Sequence, residues 1–120
     1  MNRVVNIPAK FDLIDAYWTP KLVAELNGQH VRLAKLQGPF IWHQHPDEDE
    51  LFYVVAGQLN IELRDHVVSL AQGDLYVVPR GVEHRPVATP EAHVMLFEPA
   101  DTINTGDIRD ERTVDEIDSL

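Results

Sequence analysis

The 120-residue chain contains no cysteine, which excludes disulfides, zinc–thiolate sites and cysteine nucleophiles. It has no apolar run as long as a signal peptide or a membrane span, and its first residues, MNRV, lack the basic-then-apolar pattern of a leader. Basic residues are scarce: ten Lys and Arg face twenty Asp and Glu, a net charge of −10. Because nucleic acids and anionic membranes select for Lys and Arg, neither is expected as a partner. The expected location is the cytoplasm.

Several catalytic signatures are also missing. The sequence has no Gly-rich phosphate loop, no Gly-x-Ser-x-Gly elbow and no basic stripe. Its longest run of carboxylates, residues 47–50, is too local to flank a glycosidic bond from two sides. What remains is the composition of an ordinary globular protein, with 44% hydrophobic and 25% charged residues.

Short apolar segments separated by turn residues dominate the chain. Asn27-Gly28 is a strong hairpin signal, and no stretch within residues 20–100 keeps a helical period. This pattern predicts an all-β sandwich or barrel. Gly57, Gly73 and Gly81 are expected in tight turns with no room for a side chain. The predicted strands are residues 21–26, 30–36, 40–45, 50–56, 58–63, 67–70, 74–78, 84–88 and 92–98, with a possible additional strand at Val4–Ile7.

The length predicts one domain, residues 1–120, with a barrel core at about 20–100 and an N-terminal arm at 1–19. Residues 101–120 form an acidic tail with seven acidic and two basic residues. Within the tail, Thr113-Val-Asp-Glu116 matches a capping box that could start one short helix, so the expected C-terminal element is a short helix or a tail without one.

The spacing of three histidines and one glutamate is the most informative pattern. His43 and His45 are two residues apart, so on a strand both side chains point to the same side. Glu50 follows closely, and His84 lies in a later strand segment. Imidazole suits zinc, copper, iron and nickel, and a carboxylate extends the range to manganese. A lone histidine is usually structural, but these four on converging strands would form a mononuclear metal site.

Two stretches that contain these residues resemble the two signature motifs of the cupin superfamily. They are GPFIWHQHPDEDELFYVVAG, residues 38–57, and GDLYVVPRGVEH, residues 73–84. The sequence departs from the family pattern in having four rather than five residues between Gly38 and His43, and in having Ala88 where the motif ends in Asn. Neither position is a ligand. The resemblance covers about residues 20–100.

The resemblance implies a small double-stranded β-helix, or jelly-roll, barrel with a metal inside one mouth. Its ligands would be His43, His45, Glu50 and His84, holding one divalent ion (Fe, Mn, Ni, Zn, Cu or Co). Asp49 also fits the permitted spacing, but Glu50 is preferred for its longer side chain and its six-residue gap to Gly57. Small barrels of this kind commonly form homodimers, and a homodimer is expected here.

The remaining candidate residues lie outside the ligand set. Trp42 should face away from the ligands and is predicted to serve packing or subunit contact. Phe52 is in phase with Glu50 and is the expected pocket wall. Lys35 interrupts an apolar pattern and is interpreted as a strand-end residue reaching water; the alternative is a pocket cation. His66 is interpreted as a solvated hairpin residue.

The functional prediction is a metal-dependent enzyme acting on a small polar or anionic molecule. Three neutral imidazoles, one carboxylate and a divalent ion give a net +1 centre, which favours such ligands. The resemblance allows isomerase or epimerase, dioxygenase and lyase chemistries, and names no catalytic residue. The alternative is a non-catalytic barrel that binds a small molecule or a metal. A second acid or base beside the centre would favour catalysis, and an all-apolar pocket would favour binding.

Overall fold

The structure is a computed structural model and describes residues 3–120. Strands dominate it, as the sequence predicts. The elements are α1 (Ile7–Phe11), β1 (Lys21–Leu26), β2 (Gln29–Pro39), β3 (Glu50–Leu63), β4 (Val67–Ala71), β5 (Leu75–Val78) and β6 (His84–Pro99).

The strands form one antiparallel sheet in the order β1-β2-β6-β3-β4, with β5 paired to β3. The long strand β6 lies between β2 and β3 and pairs with both along most of its length. Alternate residues of these three strands point inward and build the main core, with Val54, Leu59, Ile61 and Val94 fully buried. The all-β barrel predicted from the sequence is confirmed.

Two pairs of predicted strands each form one continuous strand in the structure: 50–56 joins 58–63 in β3, and 84–88 joins 92–98 in β6. Residues 50–63 form one strand because Gly57 sits at a bulge in β3, with register shifts on both sides of it. Gly57 has φ 84°, and a Cβ there would overlap the carbonyl oxygen of Glu91 on β6. Gly73 and Gly81 also have positive φ, as expected for turns, but the space beside them is open, so the predicted clash occurs only at Gly57.

The predicted strand at 40–45 is wrong. This segment makes a single bridge, from His43 to His84. Its other side meets the acidic tail instead of a strand: Asp107 N donates to Gln44 O at 2.9 Å, and Gln44 N donates to the Asp107 carboxylate at 3.0 Å. The segment therefore has no second strand partner.

The added strand expected at Val4–Ile7 is not formed, and the described part of the N-terminal arm contains the short helix α1 instead. Asn6 caps α1 by accepting a hydrogen bond from Ala9 N at 2.9 Å, and Pro8 lies in the first turn, where its missing N–H costs nothing. Phe11 of this helix packs with Leu33 in a second core on the outer face of the sheet.

No helix forms in residues 101–120, so of the two expected forms, a short helix or a tail, the structure has the tail. The Thr113 hydroxyl is already used: it contacts the Thr105 hydroxyl at 2.7 Å and accepts from Asp110 N at 3.0 Å. The tail folds back on the barrel through a series of turns. Gly106 has φ 60°, and a Cβ there would overlap the Gln44 carbonyl, so this contact requires glycine.

Candidate metal centre

The structure brings the four candidate ligands together at one end of the barrel interior. One ligand atom from each of His43, His45, Glu50 and His84 lies within 4.8 Å of the others, and all four side chains are buried. Asp49 is not part of the cluster, because it is turned outward and accepts from Arg80 N at 2.9 Å.

The backbone places each of these side chains. Glu50 and His84 are the first residues of β3 and β6. His43 is joined directly to His84 by two backbone hydrogen bonds, of 3.0 and 2.9 Å. The His45 carbonyl accepts from Gly81 N at 2.9 Å, which fixes the loop that precedes β6 against the first motif.

Hydrogen bonds orient two of the imidazole rings. His43 Nδ1 lies 2.9 Å from Ile41 O, and His84 Nδ1 lies 3.0 Å from Val82 O. A carbonyl oxygen only accepts, so each Nδ1 carries the hydrogen and each Nε2 presents its lone pair. This is the arrangement found in metal-ligating histidines, whose second nitrogen donates to an outer partner.

Buried polar atoms of the cluster have no hydrogen-bond partner in the described structure. They include His45 Nε2, His84 Nε2 and Glu50 Oε1. Glu50 Oε1 lies 3.2 Å from His45 Nε2 and 3.5 Å from His84 Nε2, close but not aligned as hydrogen bonds. Unpaired buried polar atoms are costly, and a divalent cation at their centre would satisfy all three. The residues therefore fit a metal ion.

A small pocket leads to the cluster. Its volume is about 40 Å³, room for one or a few water-sized groups. His43 and Glu50 are the ligands exposed to it, and Phe52 forms part of its wall, as predicted. The rest of the lining is apolar apart from one amide: Trp18, Pro20, Ala34, Leu36, Phe40, Pro86, Val94, Leu96 and Asn104.

Comparisons with known proteins show the family of the chain. A family profile described as "Cupin domain" matches residues 29–98, more than half of the chain. The chain belongs to the cupin family. The matched segment contains all four residues of the buried cluster, so the site lies within the family's own domain.

Individual relatives of this cupin are similar over most of their length. The uncharacterized protein YdbB of Bacillus subtilis (strain 168) is 42% identical over 86 residues, which cover 71% of this chain and 76% of YdbB. The crystal structure of a cupin-2 domain containing protein from Shewanella frigidimarina NCIMB 400 superposes with a TM-score of 0.79 at 44% identity, covering 80% of this chain and 94% of that one. KdgF from Halomonas sp. superposes at 0.59 with 33% identity, covering 67% and 76%.

The electrostatics of the cluster differ from residue to residue. Burial, reinforced by His84, lowers the pKa of His43 to about 4, which keeps this imidazole neutral. Burial opposes charge on His45 and Glu50 as well, but their contact outweighs it: the pKa of His45 is raised and the pKa of Glu50 is held well below its usual range. Without a metal, and below the raised pKa of His45, these two residues form an imidazolium–carboxylate pair.

Arg32 and Glu98 form a buried hydrogen-bonded pair behind Glu50. Leu51 pairs with Phe97 across β3 and β6, so the preceding rung of the ladder sets Glu50 opposite Glu98. Both carboxyl groups are almost fully buried. Burial and the negative charge of Glu50 raise the pKa of Glu98 well above its usual range, although Arg32 Nη1 lies 3.1 Å from Glu98 Oε2. A protonated Glu98 can donate to the Glu50 carboxylate and so orient it.

The sequence-based interpretation missed Trp18, Asn104, Arg32 and Glu98. A signal for Glu98 was available: it is two residues from Leu96 on β6, so both side chains point into the barrel. Arg32 was obscured because residues 32–34 are all buried: Arg32 and Ala34 face the barrel interior, while Leu33 lies under α1 on the outer face.

Trp42 and Lys35 lie outside the pocket lining. The interpretation of Lys35 as a strand-end residue is wrong, because it lies inside β2 and pairs with His93 of β6. The Arg64 guanidinium lies 3.9 Å from the centroid of the Trp42 ring, so Trp42 packs under a surface arginine. Lys35 is half-buried, and its carbonyl accepts from Trp18 N at 2.9 Å. The alternative of a pocket cation is therefore not supported.

Proposed function

We propose that His43, His45, Glu50 and His84 bind one divalent metal ion, and that the resulting centre is a metal-dependent enzyme site for a small oxygen-rich anion. The observation that carries the proposal is the set of buried, unpartnered ligand atoms at the inner end of an otherwise apolar pocket. Only His43 and Glu50 of the set are exposed to that pocket, so an incoming molecule would approach the ion from their side.

The chemistry would reside mainly in the ion. When bound, a divalent ion supplies Lewis-acid activation of an oxygen ligand. The protein would hold it with three neutral imidazoles and one carboxylate, and the apolar wall would exclude water around the bound molecule. Besides the ligands, the described residues that line the pocket include no histidine, tyrosine, lysine or carboxylate that could move a proton. This favours reactions carried by the ion, such as oxygenation, over isomerase, epimerase or lyase reactions that need a separate base.

The same wall supports a second candidate function, a non-catalytic barrel that binds a small ligand or a metal. An apolar pocket without a second acid or base is what a binding site of this size requires. The two functions differ in turnover. Oxygen uptake by the iron-loaded protein in the presence of a bound anion supports the enzyme. Binding without turnover on iron, manganese, nickel, zinc, copper and cobalt supports the binding barrel.

Ligand binding is expected to depend on the metal and only weakly on salt. Lactate, a chelating carboxylate, should bind to zinc-loaded protein at least about tenfold more tightly than to metal-free protein, because the surrounding protein carries a net charge of −10 and offers no long-range attraction. Calorimetry at low and high ionic strength measures both effects. Equal binding by metal-free protein would mean that any ion is structural, and a steep salt dependence would place the anion outside the buried site.

Metal binding is expected to release a proton below the raised pKa of His45. At about pH 6, below the ordinary histidine value of about 6.5, His45 carries a proton that the metal must displace, whereas His43 is already neutral. Metal affinity should therefore rise with pH through the raised His45 pKa and then level off. Below about pH 4 the affinity should fall more steeply as His43 protonates as well. Calorimetry in buffers of different ionisation enthalpy counts the proton, and an affinity unchanged between acidic and alkaline pH would contradict the assignment.

A further inference from the structure

We propose that Trp18 determines the specificity of the metal pocket: its indole admits a carboxylate with a short apolar body and rejects both bulky and polyhydroxylated bodies. This inference rests on the metal function proposed above and names the substrate class of the same site. It is carried by the backbone of Trp18, by a stack of rings that ends at a metal ligand, and by the size and polarity of the pocket.

The backbone of Trp18 is held in a conformation that a bulky residue rarely adopts. Its φ is 57°, in the left-handed region. Two hydrogen bonds to β2 keep it there: Trp18 N donates to Lys35 O at 2.9 Å, and the indole Nε1 donates to Gln37 O at 3.0 Å. Strain of this kind persists where the surroundings fix it, and it often marks a functional position. Here it directs the indole from the N-terminal segment to the pocket wall.

The indole is connected to the ligand set through Phe40. The Trp18 and Phe40 rings stack with centroids 4.5 Å apart and an interplanar angle of 13°. The Phe40 ring in turn meets His43 edge-on, at 5.5 Å and 89°. Arg112 adds a guanidinium 4.7 Å from the Phe40 centroid. The position of Trp18 is therefore fixed relative to a metal ligand, and the wall it forms cannot move without disturbing the stack.

The pocket is too small for a large ligand body and too apolar for a sugar. Its volume of about 40 Å³ is well below the roughly 150 Å³ of an apolar cavity that accepts benzene. Its one amide, Asn104, is already engaged: Asn104 Nδ2 donates to Arg112 O at 2.9 Å, and Asn104 Oδ1 accepts from Val114 N at 2.8 Å. Hydroxyl groups on the ligand body would find few partners there, whereas a methyl group would lie against Trp18 and Phe52.

The test uses four 2-hydroxycarboxylates that share one chelating head and differ in the body. Glycolate, lactate, glycerate and mandelate are titrated into zinc-loaded protein. Lactate should bind about fourfold more tightly than glycolate, because it buries one more carbon. Glycerate, lactate with an added hydroxyl, should bind more weakly than lactate, and mandelate at least tenfold more weakly. Trp18→Ala should improve mandelate binding about tenfold. Wild-type protein that binds mandelate or glycerate as tightly as lactate would overturn the proposal.

The matched control is Trp42→Ala, which makes the same truncation outside the pocket and should leave the order of the four ligands unchanged. Zinc affinity is measured first for each protein. If the wild type does not bind zinc, the metal function itself is refuted, whereas zinc binding with equal affinities for the four carboxylates refutes only the role of Trp18.

Because the chain has two tryptophans, Trp42→Phe provides a fluorescence test that does not alter Trp18. Lactate should change the fluorescence of the remaining Trp18 in zinc-loaded protein, and an unchanged spectrum at saturation would count against the proposal.

Discussion

Replacing His84 with alanine is expected to lower metal affinity by more than about a hundredfold, since mutating a residue that merely supports a ligand already costs roughly 10–100-fold. His84 is fully buried, and its Nδ1 is occupied by Val82 O, so its Nε2 has no role in the described structure other than to face the cluster. Equilibrium titration with zinc or cobalt measures the loss, and the visible spectrum of bound cobalt reports the change in coordination.

The control for this variant is His66→Ala. His66 is an exposed histidine near the β3–β4 turn, and its side chain contacts the Asp65 carboxylate at 2.7 Å. Its loss should leave metal affinity and the cobalt spectrum unchanged. Tight binding retained by His84→Ala together with weakened binding by His66→Ala would place the ion at the surface and overturn the assignment of the buried site.

Replacing Arg32 with methionine is expected to lower the free energy of unfolding by at least about 3 kcal/mol, because three buried acceptors would each lose a donor at a cost of about 1–3 kcal/mol. Arg32 is 1% exposed. Its guanidinium donates to Glu98 Oε2 at 3.1 Å, to Thr102 O at 2.8 Å and to Ala100 O at 2.9 Å. Without it, a buried carboxyl group and two carbonyls lose their donor. Denaturant unfolding of the metal-free protein measures the change.

Two further variants separate this network from an ordinary ion pair. Arg109→Met removes the exposed pair with Asp115, whose atoms lie 2.7 Å apart with both side chains more than half exposed, and should cost less than about 1 kcal/mol. The double variant Arg32→Met/Glu98→Leu replaces both buried partners with apolar groups and should recover only the part of the loss that comes from Glu98, because the Ala100 and Thr102 carbonyls still lack a donor. A cost for Arg32→Met no larger than that for Arg109→Met would show that the buried network contributes little.

The barrel and the four clustered residues could be predicted because their signals are local. The strand expected at 40–45 does not form, but its two-residue repeat still predicted that His43 and His45 lie together, and Glu50 was preferred to Asp49 for its longer side chain and its six-residue gap to Gly57. The first choice depends on the direction of side chains along one segment and the second on motif spacing, and the sequence encodes both directly. Because the two segments match the spacing of both family motifs, the contact between His43 and His84 could also be expected.

The features that escaped prediction depend on contacts between distant segments. Trp18 follows a segment with no apolar period and reaches the pocket through a left-handed turn that β2 stabilises. Arg32 lies in a strand covered on both faces, which removes the alternation that would have marked it as buried. The capping-box pattern at Thr113 failed because the hydroxyl found a partner in Thr105, eight residues away. In each case a tertiary contact outweighed the local preference.

The direct backbone pairing of His43 with His84 has a consequence for how the chain is held together. These residues are the meeting point of two segments about forty positions apart, and a link at such a distance restricts the unfolded chain far more than a local one. An ion bound between their side chains would act as a removable cross-link at the barrel mouth. In a protein without cysteine, metal supply rather than oxidation would then determine whether that cross-link is closed.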